Sequence, residues 1–437
     1  MDNDVFISLN DSDCLFLYRH QGLIQTHDGS VKINKDIASI LQLCFEGKTL
    51  YNAIIEHFNQ EEERKKILAF SGIMQLVEKK VLLATPHFIE CKKMVIDERN
   101  VFYPRSMHIE LTAKCNLNCY YCYRESDINV SENRIKTQDL LNTINFLSDR
   151  GLSVVELTGG EPLMHPDFEE ILDYCSEKVE IISVITNGTL MTPKIINKIA
   201  SKKNKVFVSI SLDNYREEEH DKRSRVNGSF AKAVDAIRQL SKQGIIVRAA
   251  MAVDENSWHD IEKTLLFAKE IGATKFTYSP VMPFGRASEN FKLWNNVNGF
   301  EIIDLEKKLI AKYGDFLHVM ERESVSSLMT NGGCGAGSRN FALDPYGNVR
   351  ICTTFDSKKI IGNIITQNPK DIFSSDICRL MSEIKPPTIS DCQDCRFAMF
   401  CTGCVLRAMK AAGIVGVDSC RWLKNRINMD LYNIFNK

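Results

Sequence analysis

Residues 114–122 read Lys114-Cys115-Asn116-Leu117-Asn118-Cys119-Tyr120-Tyr121-Cys122, a C-x3-C-x2-C run that follows a short apolar segment, Met107–Leu111. An apolar run of that length reads as a buried strand, so the three thiols sit on a loop at a strand's carboxyl end. Three thiolates do not close a tetrahedral zinc site; a zinc knuckle here would have to borrow a fourth ligand such as His108. The same three can hold three irons of a [4Fe–4S] cube and leave the fourth iron open to a small molecule. The spacing leaves both readings standing.

Working outward, the strand is the first of a series. Strand-like runs recur at Val154–Leu157, Ile181–Ile185, Val206–Ser211, Ile245–Val253 and Lys275–Ser279. Amphipathic stretches separate them at Thr137–Ser148, Asp167–Glu177, Pro193–Ser201, Phe230–Gln243 and Trp258–Ile271. Alternating strands and helices imply an α/β fold with a parallel sheet, here a partial (β/α)6 barrel over 105–315. Chemistry in such barrels gathers at the carboxyl ends of the strands, where the cysteine loop lies.

The 437-residue length implies more than one domain. Residues 1–85 read as three short strands (Val5–Leu9, Cys14–Tyr18, Leu23–Thr26) and three helices (Ile33–Phe45, Thr49–Phe58, Glu61–Lys80), closed by the apolar Val81–Ala84. Asn34 and Thr49 are the expected helix caps. That content suits a winged-helix-like α+β module, with 86–104 as a linker. Over 316–437 the periodicity fails, and Gly, Asn, Asp and Cys become dense, as in Asn331-Gly332-Gly333-Cys334-Gly335. Such a segment is expected to be held by metal as much as by an apolar core.

Eleven of the 15 cysteines fall in two zones, 115–122 and 334–420. The N-terminus lacks the basic and apolar regions of a signal peptide, and no apolar run reaches the roughly 18 residues of a membrane span. A cytoplasmic protein without membrane contact is expected, and there clustered cysteines mean metal or redox chemistry. The net charge of −1 gives no general attraction to nucleic acid.

The cysteine triad, with the aromatic Tyr121 before its last member, resembles that of the radical S-adenosylmethionine (SAM) superfamily. Further motifs follow in that family's order. Gly159-Gly160-Glu161-Pro162 ends the second strand, Thr186-Asn187-Gly188 the third, and Ser211-Leu212-Asp213 the fourth. Asn214 stands where the family often has Gly, and Ser224 stands between Arg223 and Arg225 where it usually has Arg. His220-Asp221, Gly228-Ser229-Phe230 and Pro283-Phe284-Gly285-Arg286-Ala287 complete the resemblance. It implies a SAM-cleaving [4Fe–4S] cluster on Cys115, Cys119 and Cys122. It also implies SAM contacts from Tyr121, Gly159, Gly160, Glu161, Pro162, Asn187, Ser211 and Asp213.

The second zone resembles the SPASM extension of peptide- and protein-modifying members. The likeness implies two auxiliary [4Fe–4S] clusters. Cys334, Cys352 and Cys404 would hold one, and Cys392, Cys395, Cys401 and Cys420 the other. Between Cys401 and Cys404 lie two residues where the family has three. The fourth site of the first cluster is left open: free, substrate-bound, or filled by Cys378 or an oxygen ligand. Two zinc sites are the plain alternative, since C-x2-C pairs suit zinc. Cys14, Cys44, Cys91 and Cys175 read as small core residues.

The N-terminal module is similar to the RiPP recognition element, like the small peptide chaperone of pyrroloquinoline quinone biosynthesis. The resemblance implies that a precursor peptide's leader adds a strand at Leu23–Thr26 beside the helix in Glu61–Lys80. The apolar face of that helix, from Ile67 to Val77, leaves little room for a DNA-reading surface.

Together these features lead to the expectation of an oxidoreductase that uses a 5′-deoxyadenosyl radical to cross-link a ribosomally made peptide, through a side-chain or thioether bond. Its electron donor would be a low-potential flavodoxin or ferredoxin. The rival within the chemistry is a sulfatase-type maturase acting on Cys or Ser of a folded protein; the rival outside it is a zinc-bound scaffold. Asp254, Glu255, His318 and Asp344 are candidate bases.

Overall fold

The computed structural model describes residues 5–10, 13–26, 29–59, 63–90, 95–130, 134–290, 297–317, 334–353, 359–393 and 395–426. Cys91, His318 and residues 331–333 of the sequence reading lie outside them. The chain divides into two units, Met1–Arg105 with Asn145–Leu152, and Ser106–Ile144 with Ser153–Lys437.

In the first unit, β1 (Phe6–Ser8) pairs antiparallel with β5 (Leu83–Thr85). A second sheet runs β4 (Gly29–Asn34), β3 (Gln21–Thr26), β2 (Cys14–Leu17), β6 (Val95–Asp97). Three helices, α1 (Lys35–Phe45), α2 (Leu50–Phe58) and α3 (Glu63–Glu78), share one apolar core with them that includes Leu15, Ile24, Leu41, Phe45 and Ile73. The caps are those expected: Asn34 Oδ1 accepts from Ile37 N at 2.8 Å and Thr49 Oγ1 from Asn52 N at 3.4 Å.

Two readings change. Leu23–Thr26 is not an edge, because β3 lies between β2 and β4. The edges are β4, whose sequence Gly-Ser-Val-Lys-Ile-Asn is too polar to read as a strand alone, and β6. Residues 86–104 are more than a connection: β6 within them pairs parallel with β2, and Val101, Phe102 and Tyr103 are buried.

In the second unit, β7 (Ser106–Thr112), β8 (Val154–Gly159), β9 (Ile181–Thr186), β10 (Val206–Ser211), β11 (Ile246–Val253) and β12 (Lys275–Pro280) form consecutive parallel pairs. These are the six expected barrel strands, and the α/β barrel architecture holds. Alternation explains their sequences. Met107, Ile109 and Leu111 are buried, while the positions between them, His108 and Glu110, carry polar groups. The C-terminal region extends the sheet with β13 (Asn340–Leu343), parallel to β7, then β14 (Asn348–Arg350) and β15 (Gly362–Asn363), both antiparallel.

Candidate active site

The cysteine loop leaves β7 and is held by segments remote in sequence. Arg286 grips it three times: its main-chain N donates to Cys122 O at 3.0 Å, Nε to Cys119 O at 3.0 Å and Nη2 to Ser126 O at 2.9 Å. Asn118 N donates to Ser224 O at 3.1 Å. Gly159 and Gly160 seal the other side. Gly160 N donates to Thr112 O at 2.7 Å and Glu161 N to Lys114 O at 2.8 Å. A Cβ on Gly160 would stand 2.0 Å from Lys114 O. Glycine is required there by the approach of strand end to cysteine loop.

Cys115, Cys119 and Cys122 line one cavity of about 320 Å³, with Tyr121, Gly159, Gly160, Asn187, Ser211 and Asp213. Glu161 and Pro162 are not among its lining residues. Glu161 is fully buried under β9, where its carboxylate accepts from Thr186 Oγ1 (2.6 Å), Asn187 N (2.8 Å) and Leu163 N (3.2 Å). Burial pushes it up to about 7 against those donors. Pro162 opens the 3-10 turn that follows. Asn187 reaches the loop, donating from Nδ2 to Asn116 Oδ1 at 3.0 Å and to Cys115 Sγ at 3.9 Å.

Burial pushes the Cys115 thiol up to about 12, although Leu117 N donates to its sulfur at 3.4 Å. Cys119 is raised by burial and by the charges of Asp213 and the other two cysteines. Thiols so placed need a positive group to become thiolates, and an iron–sulfur cluster held here would supply it. Among the described residues, no three His, Cys, Asp or Glu side chains close on a point that one metal ion would fill.

On the opposite wall, Tyr121 donates its hydroxyl to Asp213, whose other oxygen accepts from Ala252 N at 2.9 Å. Arg223 is buried and pairs with Asp254 at 2.7 Å, its guanidinium 5.4 and 5.2 Å from the Tyr120 and Tyr121 ring centres. Arg225 is exposed, at φ 59°. Arg223 is therefore the arginine built into this wall. Asp254 is committed to it: burial opposes ionisation, but Arg223 and Tyr120 hold the carboxyl below its usual range. Asp344 braces its own turn, accepting from Tyr346 N and Asn348 N, both at 2.9 Å.

The later cysteines fall into two groups. Cys334 is an exposed residue, yet desolvation and then the Cys404 and Cys352 charges push its thiol up to about 12, with Arg407 opposing. Cys392, Cys395, Cys401 and Cys420 line a separate cavity of about 350 Å³. The shortened Thr402-Gly403 spacer forms a tight turn, with Gly403 at φ 77° and Cys404 N donating to Cys401 O at 3.0 Å. Cys404 thereby starts the helix Val405–Val415; burial pushes its thiol up, with Arg407 and the first-turn amides opposing. Cys378 stands elsewhere: its sulfur contacts Ser375 Oγ at 3.3 Å and Ile372 O at 3.6 Å.

Comparison with known proteins bears on this arrangement. The model of the radical SAM superfamily matches residues 109–268, and that of an iron-sulfur cluster-binding domain, SPASM, matches 334–396. The antilisterial bacteriocin subtilosin biosynthesis protein AlbA of Bacillus subtilis (strain 168) is 32% identical over 331 residues, covering 74% of this chain and 72% of AlbA. The chain belongs to the radical SAM superfamily.

The AdoMet-dependent heme synthase of Methanosarcina barkeri (strain Fusaro / DSM 804) is 27% identical over 331 residues, 71% of this chain and 93% of that protein. Streptococcus suis SuiB bound to SAM matches in fold, with TM-score 0.60 at 16% identity, over 92% of this chain and 96% of that one. SuiB bound to its precursor peptide SuiA matches at TM-score 0.58 and 14% identity, over 93% and 97%. This radical SAM enzyme is of the SPASM type. It works with a [4Fe–4S] cluster and SAM, and its SPASM region binds further iron–sulfur clusters. Among the described residues no helix is long and apolar enough to cross a membrane.

Sequence reasoning passed over several residues of the site. Arg407 was unassigned, and Arg286 was read only as part of a motif, without a role. Thr353, one residue beyond Cys352, lines the cysteine-triad cavity, as do Glu156 and His108, the latter read from sequence only as a stand-in zinc ligand. A signal for the last two existed: each is an ionisable residue within an otherwise apolar strand core.

Proposed function

We propose that this enzyme cross-links a ribosomally made precursor peptide, forming a side-chain or thioether bond. The observation that carries the reading is the similarity to AlbA, a bacteriocin biosynthesis protein, over 331 residues. The first unit fits the role of leader holder. β4 ends its sheet, and Ile67 and Leu68 on α3 are each 62% exposed. A leader strand added along β4 would gain main-chain hydrogen bonds, and the exposed apolar side chains would give it register. Tethering in this way raises the core peptide's effective concentration at the cavity.

Three clusters are assigned: one on Cys115, Cys119 and Cys122, one on Cys334, Cys352 and Cys404, and one on Cys392, Cys395, Cys401 and Cys420. With SAM, the first would supply a carbon-centred radical able to abstract hydrogen from an unactivated carbon. The chain's own work is placement. Gly159 and Gly160 let the strand end close on the cysteine loop, Asn187 and Arg286 fix that loop, and Asp213 with Tyr121 shapes the facing wall. Ser211, Asp213 and Asn187 offer polar atoms to SAM. Arg407 provides a cation beside the three-cysteine group. A cytoplasmic flavodoxin or ferredoxin is the fitting electron donor.

The test is the intact mass of the peptide encoded beside the gene, co-expressed anaerobically with the enzyme and with a Cys115→Ala control. A loss of two hydrogens, or a multiple, that depends on Cys115 is expected. An unchanged mass overturns peptide cross-linking and favours a protein target. Removing residues 1–85 should then leave activity intact, whereas a leader-guided enzyme loses it.

A further inference from the structure

A polar pair in the SAM-side cavity has no part in the account so far. His108 on β7 and Glu156 on β8 are partners in the parallel register, and both line the cavity that holds Cys115, Cys119 and Cys122. His108 Nδ1 lies 2.9 Å from Glu156 Oε2, and the side chains are 20% and 22% exposed. Nδ1 is thus committed to the carboxylate, leaving Nε2 as the ring's other nitrogen.

The charged groups around the pair are already placed. Arg248 on β11 acts on Glu156 and donates from Nε to Ser209 Oγ at 3.1 Å. Glu110, the next inward position on β7, is paired with Arg124 and Arg350. Asp213 is bonded to Tyr121 and Ala252, and His220 Nδ1 accepts from Asp213 N at 3.1 Å. Asp254 is taken by Arg223 and Asp344 by its turn. Desolvation lowers His108, but Glu156 and then Glu110 carry it above its ordinary value. A histidine oriented by a carboxylate is the arrangement of a general base.

We propose that His108 accepts the proton released by the substrate's nucleophile as the cross-link forms, with Glu156 orienting its ring. The inference rests on the peptide cross-linking reading. In the step, the carbon's C–H bond gives its hydrogen atom to the SAM-derived radical. The nucleophile's X–H bond breaks, its electron pair forms the X–C bond, and its proton goes to His108 Nε2. The one surplus electron leaves to an auxiliary iron–sulfur cluster.

The experiment follows 5′-deoxyadenosine and cross-linked peptide together in the holoenzyme. His108→Gln should keep making deoxyadenosine while its cross-link per deoxyadenosine falls about tenfold or more. In the wild type that ratio should rise with pH through a midpoint above the usual histidine value, and Glu156→Gln should move the midpoint down. An unaltered ratio in His108→Gln overturns the proposal, as does a parallel loss of both products. If the wild type leaves the peptide unmodified, the cross-linking reading falls and this proposal with it. A second readout needs no turnover. In ¹³C-histidine-labelled holoenzyme, the precursor peptide should shift the His108 resonance, and a peptide whose nucleophilic residue is replaced by Ala should not. Equal responses to the two peptides overturn the proposal.

Discussion

Arg350 on β14 places Nη2 2.5 Å from Glu110 Oε2 on β7, and both side chains are almost completely buried. Arg124 reaches the same oxygen at 2.9 Å. One carboxylate therefore ties the loop after Cys122 to the strand that leads to Cys352. Removing that carboxylate strands two buried guanidinium groups, at a cost of about 3–5 kcal/mol. Removing Arg350 leaves a neutral pair. Glu110→Gln should accordingly destabilise the holoenzyme more than Arg350→Met in anaerobic denaturant unfolding. Equal effects would refute this reading of the cluster.

Gly160→Ala should abolish assembly of the SAM-cleaving cluster, because the new methyl would meet Lys114 O. Gly228, at φ 80° with open space about its Cβ position, provides the contrast. Gly228→Ala should cost about 1–2 kcal/mol of backbone strain and leave the iron content unchanged. Iron analysis and SAM cleavage on the two variants decide the matter.

Cysteine replacement should resolve the iron by group. With three cubes the wild type carries roughly 12 irons, and Cys115→Ala roughly 8. Cys404→Ala and Cys401→Ala should each remove a different auxiliary signal in electron paramagnetic resonance. Cys378→Ala should leave the iron unchanged, since its sulfur is engaged by Ser375 Oγ and by Ile372 O of the preceding helix. A fall in iron in that variant would make Cys378 a ligand.

The His108–Glu156 contact also predicts a pH window for stability. His108 is raised when folded, so its contribution is full below the unfolded value near 6.5 and is lost as pH rises through the higher folded one. Glu156 is lowered, despite desolvation, by the His108 bond; its contribution is present above about 4.5 and is lost on acidification through the folded value. The stability difference between wild type and Glu156→Gln should therefore peak between about pH 4.5 and 6.5. It should amount to roughly 1.5–3 kcal/mol. A difference independent of pH would contradict the pairing.

Ile67→Asp with Leu68→Asp should weaken binding of the precursor peptide by tenfold or more, the loss of about 1.4 kcal/mol, while peptide-independent SAM cleavage stays unchanged. Fluorescence titration with labelled peptide measures the first and deoxyadenosine formation the second. Unaltered affinity would place the leader elsewhere.

The six barrel strands were legible because a strand buried on one face and packed inward on the other carries dense apolar residues. Caps were legible because Asn34 and Thr49 act within three residues of themselves. β4 and β6 were not, since an edge strand needs little apolar content and its partner is chosen by the fold. The cysteines of the site could be read from spacing, but their neighbours could not. Thr353 and Glu156 reach the cavity, and Arg286 the cysteine loop, through strand register and loop closure, which local sequence does not encode. Glu161 shows the converse. Its motif was readable, yet its carboxylate turns inward to brace β9.

Arg286 lies beyond the last barrel strand, and its three hydrogen bonds close on carbonyls of the cysteine loop. During synthesis, a chain that has emerged only as far as Cys122 owns every thiol of the triad but not the loop's shape. That shape arrives with Arg286, once the half-barrel has curled round on itself. Full order in the triad loop is thus expected to wait on the completed sheet, and cluster insertion with it.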